Sequence, residues 1–494
     1  MRVNTNKENT LIVGAGGAGK ELFQELKRDK ASSKKYEFEG FIDDDITKKG
    51  TYVLKLPILG TIDDIPKILK QQKIKTLFIA IPSGSGALVR RIINKCKNFE
   101  VKIKIVPRIS EVLTGALDIS YVREIEPVDL LGRSIVRHDF SDIRNKLHNK
   151  SVFVFGAAGS IGSKLAEQIA GLTPKKLVCI DWWENGMFDL QQRLEKIRVN
   201  PERESAIEID YVIANIQDKE KIEKLIVEHK PDVIFNAAAY KHVPLMESNS
   251  CQAVNNNILG TKNLFELSIK HNVGSFILIS TDKAVNPTSV MGATKRVTEK
   301  MMHYYASKTN KTLFSAVRFG NVLNSNGSVI PLFKKQIEEG MVTVTHKDIM
   351  RYFMTIDEAV QLILQCWVFG GQDKIFVLDM GEPIKILDLA KLMIRLSGKE
   401  PGKDVKIKFI GLRPGEKLYE EPLTKIEKTT ATMNQKIFIL QKDEEFDKEQ
   451  FMEGVQELIE KCKHSHGCEE TKERLKELIP TYKELSYPKQ EQDE

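Results

Sequence analysis

The chain has 494 residues, enough for two to four domains with separate cores, and its apolar (41%) and charged (29%) fractions are those of an ordinary globular protein. Its formal net charge of +7, from 75 basic and 68 acidic residues, gives no reason to expect nucleic acid, although it would suit an anionic ligand or weak attraction to a membrane surface. No run of about 18 apolar residues predicts a membrane span, and six cysteines without a secretion signal indicate reduced thiols in a cytoplasmic protein, membrane-associated if the natural chain carries an N-terminal transmembrane region.

The first part of the chain, residues 1–125, predicts an α/β unit. Residues 10–13 form a short apolar run, the glycine-rich sequence GAGGAGK follows at 14–20, and an amphipathic helix comes next. Small residues let a backbone approach a phosphate at a helix N-terminus, but this pattern alone is a weak signal. Two interpretations remain open for this Rossmann-like unit: a nucleotide or nucleotide-sugar site, or a structural or regulatory domain without a ligand.

A connector over residues 126–150 precedes a second unit, residues 151–440, which again begins with an apolar strand and a glycine-rich turn. The turn reads GAAGSIG, with Gly156, Gly159 and Gly162 in the spacing of extended short-chain dehydrogenases and with Ser160 and Ile161 between them. The turn is therefore predicted to hold the phosphates of a dinucleotide.

The next strand ends at Asp181, 19 residues beyond Gly162. A carboxylate at this place accepts a hydrogen bond from an adenosine ribose hydroxyl and repels a 2′-phosphate, which favours NAD over NADP.

Two further strands complete the predicted coenzyme site. The first ends at Asn215 and Ile216, where the adenine is expected. The second ends at the small residues Ala237, Ala238 and Ala239, which would let the coenzyme approach the backbone. Four elements thus agree on NAD, and the alternative is a degenerate core that binds nothing.

The stretch STDKAVNPTSVMGATK at 280–295 carries the predicted chemistry. An apolar strand at 276–279 delivers Thr281, Asp282 and Lys283 to the edge of the sheet where open α/β folds place their sites. Met291 and Lys295 follow four residues apart and share one helix face. Short-chain dehydrogenases have a Tyr-x-x-x-Lys pair at this spacing, so Met291 replaces the tyrosine. The alternative is that Thr281, Asp282 and Lys283 only cap a helix and form a pair of charges at the protein surface.

Beyond residue 320 the pattern predicts a smaller α/β lobe that closes over a substrate, followed by a charged, helical and peripheral tail at 441–494. The tail contains CKHSHGC at 462–468. Its ligand spacing differs from that of usual zinc sites, so no metal is predicted and a solvated helix end is the preferred interpretation.

Several motifs together resemble the nucleotide-sugar 4,6-dehydratases of the extended short-chain dehydrogenase/reductase superfamily. They are GAAGSIGS, NAAAYKHVPLME, STDKAVNPTSVMGATKR, RFGNVLNSNGSVIPLF, MRYFMT and RPGEKLYEE. The resemblance covers about residues 125–430 and is closest to the branch of UDP-N-acetylglucosamine 4,6-dehydratases in which Met replaces Tyr. It implies two Rossmann-like, doubly wound parallel-sheet units in tandem, a UDP-sugar substrate, retention of configuration at C5, and a homo-oligomer.

The resemblance also implies roles for the central residues. In this reaction hydride passes from C4 to NAD, water leaves from C5 and C6, and hydride returns to C6. Asp282 is the expected acid at the C6 oxygen, Lys283 the expected base at C5, and Lys295 a partner of the nicotinamide ribose. The pKa of Lys283, ordinarily ~10.4, is expected to be lowered by burial, by Lys295 and by the cationic nicotinamide. For the proton on O4, Thr281 relaying to water and Asp282 itself remain open.

Substrate contacts are predicted on both sides of the site. Arg351 and Arg413 are expected to bind the diphosphate, Asn321 and Glu416 the nucleotide, and Lys241 and His242 the sugar. Solvated charges and a structural histidine are the alternatives. Two other functions also remain open: a nucleotide-sugar 4-epimerase, which needs no elimination acid, and a non-catalytic NAD or nucleotide-sugar sensor, which would fit the lost tyrosine.

Overall fold

The computed structural model describes residues 7–82, 84, 86–106, 122–130, 140–198, 207–423, 428–441, 445–464 and 468–485. The chain divides into two compact units. The first comprises 1–137, 337–341 and 389–406, and the second comprises 138–336, 342–388 and 407–494. Among the described residues, none of the helices combines the length and the apolar character needed to cross a bilayer.

The first unit contains a seven-stranded sheet in the order β3-β4-β2-β1-β5-β6-β7. Its strands are β1 (Glu8–Val13), β2 (Tyr36–Ile42), β3 (Tyr52–Val53), β4 (Leu56–Gly60), β5 (Thr76–Ile79), β6 (Lys102–Ile105) and β7 (Arg123–Glu124). Its helices in this part of the chain are α1 (Gly17–Arg28), α2 (Lys30–Lys35), α3 (Ile65–Gln72) and α4 (Gly86–Cys96). Strands β4, β2, β1, β5 and β6 run parallel, and the short edge strands β3 and β7 are antiparallel to their neighbours.

The glycine-rich turn of the first unit is tightly packed. Gly14 has a φ of +109°, and a Cβ on Gly19 would lie 1.8 Å from the Gly14 carbonyl oxygen. Glycine is therefore required at positions 14 and 19, whereas a Cβ on Gly16 or Gly17 would meet nothing within 4 Å. At the end of β2, Asp43 accepts a hydrogen bond at Oδ2 from Ala15 N at 2.9 Å.

The rest of the chain supplies fifteen strands and thirteen α-helices in the described residues. The strands are β8 (Ser151–Phe155), β9 (Lys176–Asp181), β10 (Glu208–Ile213), β11 (Val233–Asn236), β12 (Ser275–Ile279), β13 (Leu313–Arg318), β14 (Asn321–Val322), β15 (Met341–Val344), β16 (Met350–Arg351), β17 (Phe353–Met354), β18 (Lys374–Leu378), β19 (Ile384–Lys385), β20 (Lys406–Phe409), β21 (Thr429–Ala431) and β22 (Ile437–Leu440). The helices are α5 (Ser141–Leu147), α6 (Ser160–Gly171), α7 (Glu184–Arg198), α8 (Lys219–His229), α9 (Val243–Glu247), α10 (Ser250–Ala253), α11 (Gly260–Lys270), α12 (Val290–Ser307), α13 (Val329–Glu338), α14 (Ile356–Phe369), α15 (Ile386–Leu396), α16 (Lys448–His464) and α17 (Cys468–Leu478).

The main sheet of the second unit has nine strands in the order β10-β9-β8-β11-β12-β13-β18-β22-β21. The first seven are parallel, and β22 and β21 are added antiparallel at one edge. Chain order reverses between β8 and β11, and in open α/β sheets such a reversal leaves a crevice at the carboxyl ends of the strands. The predicted α/β fold with tandem parallel-sheet units is confirmed.

Apolar cores cover both faces of this sheet. One face carries α8, α11 and α12, and the other carries α5, α6, α7 and α14. Three short two-stranded pairs, β14-β17, β15-β20 and β16-β19, lie beyond the main sheet in the C-terminal half.

The described part of the C-terminal segment is not peripheral, contrary to the sequence-based expectation. Val455, Leu458 and Ile459 of α16 and Leu475 of α17 are fully or almost fully buried in the core around α11 and α12. The high charge of the segment lies on its other faces. The buried residues follow the i, i+3, i+4 spacing of an amphipathic helix. This spacing is visible in the sequence and indicates a buried helix face.

Candidate active site

A groove of about 900 Å³ runs along the carboxyl edge of the second unit's sheet. Most of the predicted site residues line it, namely Gly159, Ser160, Ile161, Gly162, Asp181, Ala237, Ala239, Lys241, His242, Thr281, Lys283, Met291, Lys295, Asn321, Arg351, Arg413 and Glu416. They come from five strand ends and from the C-terminal lobe, so the fold brings distant parts of the chain to one cleft.

The glycine turn after β8 forms one end of the groove. Gly156 has a φ of +74°, and a Cβ at this position would lie 2.5 Å from Ala238 N. A Cβ on Gly162 would lie 2.0 Å from the Gly156 carbonyl oxygen. The turn is therefore packed closely between β11 and α6, and the N-terminus of α6 faces the groove, where it can bind an anion such as a diphosphate.

Asp181 is held at the end of β9 by two backbone hydrogen bonds. Ala158 N donates to its Oδ2 at 3.0 Å, and Trp183 N donates to its Oδ1 at 3.0 Å. Each carboxylate oxygen retains a further lone pair for a ligand hydroxyl. Trp182 and Trp183 also line the groove beside Asp181 and are 56% and 43% exposed, and sequence reasoning had not assigned them.

Like Gly156, three other predicted coenzyme residues shape the turns without lining the groove. Asn215 accepts a hydrogen bond at Oδ1 from Gln217 N at 2.9 Å, and the carbonyl of Ile216 accepts one from Asn263 Nδ2 at 3.1 Å. Ala238 N donates to Asn236 Oδ1 at 3.1 Å. These contacts fix the backbone after β10 and β11, and direct coenzyme contacts by these three residues remain predictions.

The residues after β12 form a buried hydrogen-bonded cluster. Thr281 Oγ1 donates to Asp282 Oδ1 at 2.9 Å, and Lys283 Nζ donates to the same oxygen at 3.0 Å. Lys283 Nζ also donates to Asn321 Oδ1 at 3.1 Å. Asp282 does not line the groove itself, since its side chain is only 1% exposed.

A second carboxylate, which sequence reasoning missed, completes this cluster. Glu420 Oε1 lies 3.5 Å from Lys283 Nζ and 3.7 Å from Arg351 Nε, and the Glu420 side chain is 3% exposed. Burial lowers the pKa of Lys283, and Arg351 lowers it further, but the charges of Asp282 and Glu420 outweigh both and raise that pKa above its ordinary value. The predicted lowering of the Lys283 pKa is therefore wrong.

Met291 and Lys295 lie on the first turns of α12. Ser289 caps this helix by accepting a hydrogen bond from Gly292 N at 3.1 Å. The Met291 side chain is almost fully buried, and Lys295 Nζ donates to the Ile279 carbonyl at 2.9 Å. Burial lowers the pKa of Lys295 to about 8, with partial opposition from Glu299.

A smaller polar cavity of about 190 Å³ adjoins the groove. Arg413, whose side chain is 51% exposed, lines both cavities and lies 3.4 Å from Glu416 Oε2. Unlike Arg413, Arg351 donates hydrogen bonds to backbone carbonyls, those of Met350 and Lys417, at 2.7 Å each. Arg351 thus supports the loop that carries Arg413, and its predicted contact with a diphosphate stays a prediction.

Lys241 and His242 lie where the groove and the polar cavity meet. Lys241 Nζ donates to the Asn326 carbonyl at 2.8 Å, and a Cβ on Gly327 would lie 2.7 Å from His242 Cε1. Burial, and then the charges of Lys241 and Arg413, lower the pKa of His242 and favour a neutral imidazole. The far end of the groove is lined by apolar residues that sequence reasoning had not assigned, including Leu332, Phe333, Val344, Ile386 and Ile410.

Across the described ranges, no cluster of His, Cys, Asp and Glu has an arrangement that could hold a metal ion. Cys462 is buried and contacts the Thr471 hydroxyl, and His466 lies outside the described residues.

Comparison with known proteins gives the family. Residues 152–442 match the model described as "Polysaccharide biosynthesis protein", and residues 1–107 match one described as "CoA-binding domain". The chain is similar to the capsular polysaccharide biosynthesis protein CapD of Staphylococcus aureus, at 46% identity over 435 residues, or 87% of this chain and 71% of that protein. It is also similar to the probable polysaccharide biosynthesis protein EpsC of Bacillus subtilis, at 44% identity over 431 residues, or 87% of this chain and 70% of that protein.

Among solved structures, Pen from Bacillus thuringiensis is similar with a TM-score of 0.54 and 30% identity, over 61% of this chain and 90% of that one. The family match covers the whole groove-bearing sheet of the second unit, from β8 to β22. The chain therefore belongs to the polysaccharide biosynthesis protein family of the extended short-chain dehydrogenase/reductase superfamily and is a nucleotide-sugar-modifying enzyme.

Proposed function

We propose that the second unit is an NAD-dependent UDP-N-acetylglucosamine 4,6-dehydratase. Its product would be the 4-keto-6-deoxy sugar UDP-2-acetamido-2,6-dideoxy-α-D-xylo-hexos-4-ulose, with configuration at C5 retained, for glycan or polysaccharide synthesis. The observation that carries the proposal is the buried Asp282–Lys283 pair between the glycine turn and the basic C-terminal lobe. An elimination needs an acid and a base side by side, and this pair supplies both groups.

The residues of the groove fit NAD. Gly156 and Gly162 let the turn pack closely between β11 and α6, and the N-terminus of α6 then faces the groove, where a diphosphate can bind. Asp181 presents a fixed carboxylate to a ribose, and Lys295 presents a buried amine near the end of β12. When bound, NAD supplies the hydride acceptor at C4 of the sugar and returns the hydride to C6.

The hydrogen bond between Thr281 and Asp282 bears on the proton from the C4 hydroxyl. Met291 carries no exchangeable proton. The Thr281 hydroxyl can accept the sugar proton while its own proton passes to Asp282 Oδ1 at 2.9 Å. Asp282 then holds the proton that the departing C6 hydroxyl needs to leave as water. One carboxylate thus serves both steps, and no outside acid is required.

The basic loop around Arg413 supports a nucleotide diphosphate as the substrate's other end. Arg413 is half exposed toward the groove and beside Glu416, so its guanidinium can turn to a phosphate. The apolar end of the groove, with Phe333 and Val344, can cover a uracil ring.

The test is to incubate the purified protein with UDP-N-acetylglucosamine and to determine product mass and NMR spectrum. Loss of one water, with deuterium from heavy water at C5, is expected. A product of unchanged mass and inverted C4 would identify a 4-epimerase instead. Bound nucleotide without turnover would identify a sensor.

A further inference from the structure

Glu420 is a buried carboxylate to which the proposed function has so far given no role. It lies at the end of the loop that begins at Arg413, and neighbouring contacts fix this loop on both sides. Lys417 Nζ donates to the Val285 carbonyl at 2.8 Å, and Met350 N donates to the Leu418 carbonyl at 3.1 Å. The Glu420 carboxylate is thereby held against Lys283, 137 residues earlier in the chain.

Two carboxylate oxygens of this cluster lack hydrogen-bond partners in the part of the chain that the structure describes. They are Asp282 Oδ2 and Glu420 Oε2, and both are buried. Buried polar oxygens are nearly always paired, so each of these oxygens is available to accept a proton or a ligand hydroxyl. The other oxygen of each carboxylate lies near Lys283, whose Nζ is 3.0 Å from Asp282 Oδ1 and 3.5 Å from Glu420 Oε1.

We infer that Glu420 is the proton acceptor that makes Lys283 a base, an inference that rests on the dehydratase function proposed above. The step balances as follows. An N–H bond of the Lys283 ammonium breaks and an O–H bond forms on Glu420, which leaves a neutral amine beside a neutral carboxylic acid. The C5–H bond of the 4-keto sugar then breaks, and its proton joins the Lys283 nitrogen. The electron pair from C5 expels the C6 hydroxyl, which takes the proton held by Asp282.

The order of events follows from which charges face Lys283. At rest, the carboxylates of Asp282 and Glu420 both favour the ammonium form, and Arg351 opposes them. Once Asp282 has taken the proton from the sugar, one of the two carboxylate charges has gone. The remaining pair with Glu420 is buried, and in such a setting proton transfer removes two charges that are costly to bury. Elimination is thereby made to wait for C4 oxidation.

Two cations also face Glu420 and limit how easily it accepts the proton. Arg351 Nε lies 3.7 Å from Glu420 Oε1, and Lys417 interacts electrostatically with Glu420, Asp282 and Lys283. Burial lowers the pKa of Lys417, and the charges of Glu420, Glu421 and Asp282 oppose that lowering. Glu420 acts on the substrate only through Lys283 and is therefore a positioning residue.

The test compares Glu420→Gln with the wild-type protein, using UDP-N-acetylglucosamine in heavy water. The amide keeps the shape of the side chain but cannot take the Lys283 proton. We expect turnover and deuterium entry at C5 to fall by about 100-fold or more. C4 oxidation should continue, so the near-ultraviolet absorbance of reduced nicotinamide should accumulate. A purely structural role would reduce both signals together.

Glu421→Gln is the matched control, because Glu421 is adjacent and exposed and accepts a hydrogen bond from Asn286 Nδ2 at 3.0 Å. In this variant, deuterium should enter C5 of the sugar at the wild-type rate. The inference would be overturned if deuterium entered C5 at the normal rate in Glu420→Gln. It would also be overturned if deuterium entry were lost and no reduced nicotinamide accumulated.

If Glu420→Gln does not fold, Glu420→Asp replaces it. Its shorter side chain lengthens the gap to Lys283, so the inference requires exchange to fall at least about tenfold while reduced nicotinamide still forms. Wild-type exchange in this variant would overturn it. If the wild-type protein itself removes no water from UDP-N-acetylglucosamine, the proposed function fails and the inference falls with it, and this outcome is distinct from failure of the variant alone.

Discussion

Asp282 and Lys283, neighbours in sequence, form a salt bridge of 3.0 Å in which the Asp282 side chain is 1% exposed and that of Lys283 19%. Adjacent residues on a strand point to opposite faces, but these two lie on a short 3₁₀ turn, Asp282–Ala284, that follows β12. The turn lets both side chains converge on one oxygen, Asp282 Oδ1, which also accepts the Thr281 hydroxyl. A carboxylate, an amine and a hydroxyl group thus meet at a single oxygen atom.

Asp282→Asn should abolish dehydration while leaving ligand binding intact. The amide can neither take the proton from Thr281 nor protonate the C6 hydroxyl, so we expect turnover to fall by about 10²–10⁴-fold with little change in the affinity for UDP-sugar. Product formation is followed by mass, and binding by calorimetry. Asp348→Asn is the control, because Asp348 forms only an exposed pair with Lys385 among the contacts seen. Turnover equal to that of the parent would mean that another group supplies the proton to the C6 hydroxyl.

Met291→Leu should leave turnover nearly unchanged. Met291 is buried on α12 and lines the groove, and in the proposed reaction its thioether transfers no proton. Leucine conserves the volume and the apolar character, so we expect turnover within about threefold of the wild type. Met301→Leu on the same helix, fully buried away from the groove, controls for core packing. A much larger loss in Met291→Leu alone would mean that the sulfur contacts reacting atoms.

Local patterns in the sequence predicted the coenzyme side of the site, and they failed where long-range contacts decide the chemistry. Gly156, Gly162 and Asp181 belong to one strand–turn–helix–strand segment, so their spacing fixes their geometry. Glu420 carried no such signal, since nothing near it in sequence shows that it is buried against Lys283. The predicted lowering of the Lys283 pKa was wrong because the charge of Asp282 and, after it, that of Glu420 together outweigh the effect of burial.

The substrate lobe shows the same limit in another form. The contact of Arg351 with a phosphate stays a prediction, but its residue type did not indicate that its guanidinium also donates to the backbone carbonyls of Met350 and Lys417. The sequence identifies a strong hydrogen-bond donor but does not show which acceptor it contacts in the folded protein. The buried face of α16 and α17 was hidden by the charges around it, although its spacing was visible.

Asp181→Ser should weaken NAD binding and relax the preference for NAD over NADP. The variant removes a carboxylate that two backbone amides hold at the end of β9 and that would repel a 2′-phosphate. Loss of a hydrogen bond to a charged group predicts about tenfold weaker NAD binding or more, measured by titration. Asp43→Ser is the matched control, because Asp43 has the same relation to Ala15 in the first unit. An unchanged preference in Asp181→Ser would place the ribose elsewhere.

Coenzyme affinity should fall as the pH rises through about 8, where burial places the pKa of Lys295. Below that pH the ammonium is charged and donates to the coenzyme ribose, and above it the amine is neutral and a weaker donor. Between pH ~7 and ~9 the charged fraction falls about tenfold, and the dissociation constant for NAD should rise by a similar factor. Lys295→Met should bind weakly at every pH. A flat pH profile in the wild type would exclude this contact.

Glu299→Gln should destabilise the second unit more than any surface charge substitution. Glu299 is fully buried and accepts hydrogen bonds from Ser280 Oγ at 2.6 Å and from Arg318 Nε and Nη2 at 2.8 and 2.7 Å. It thereby joins the ends of β12 and β13, which carry Asp282 and Asn321. Neutralising one partner of a buried pair costs about 3–5 kcal/mol in the free energy of unfolding, because the other charge stays buried.

The measurement is urea unfolding followed at the coenzyme groove, for instance by release of bound NADH. Glu223→Gln is the control, since Glu223 pairs with Lys270 and His271 at the surface, and this substitution should change the free energy of unfolding far less than Glu299→Gln does. Equal small effects of the two variants would mean that Arg318 finds another acceptor when Glu299 is neutral. A large effect confined to Glu299→Gln would instead identify this buried network as the support that fixes the catalytic strand ends.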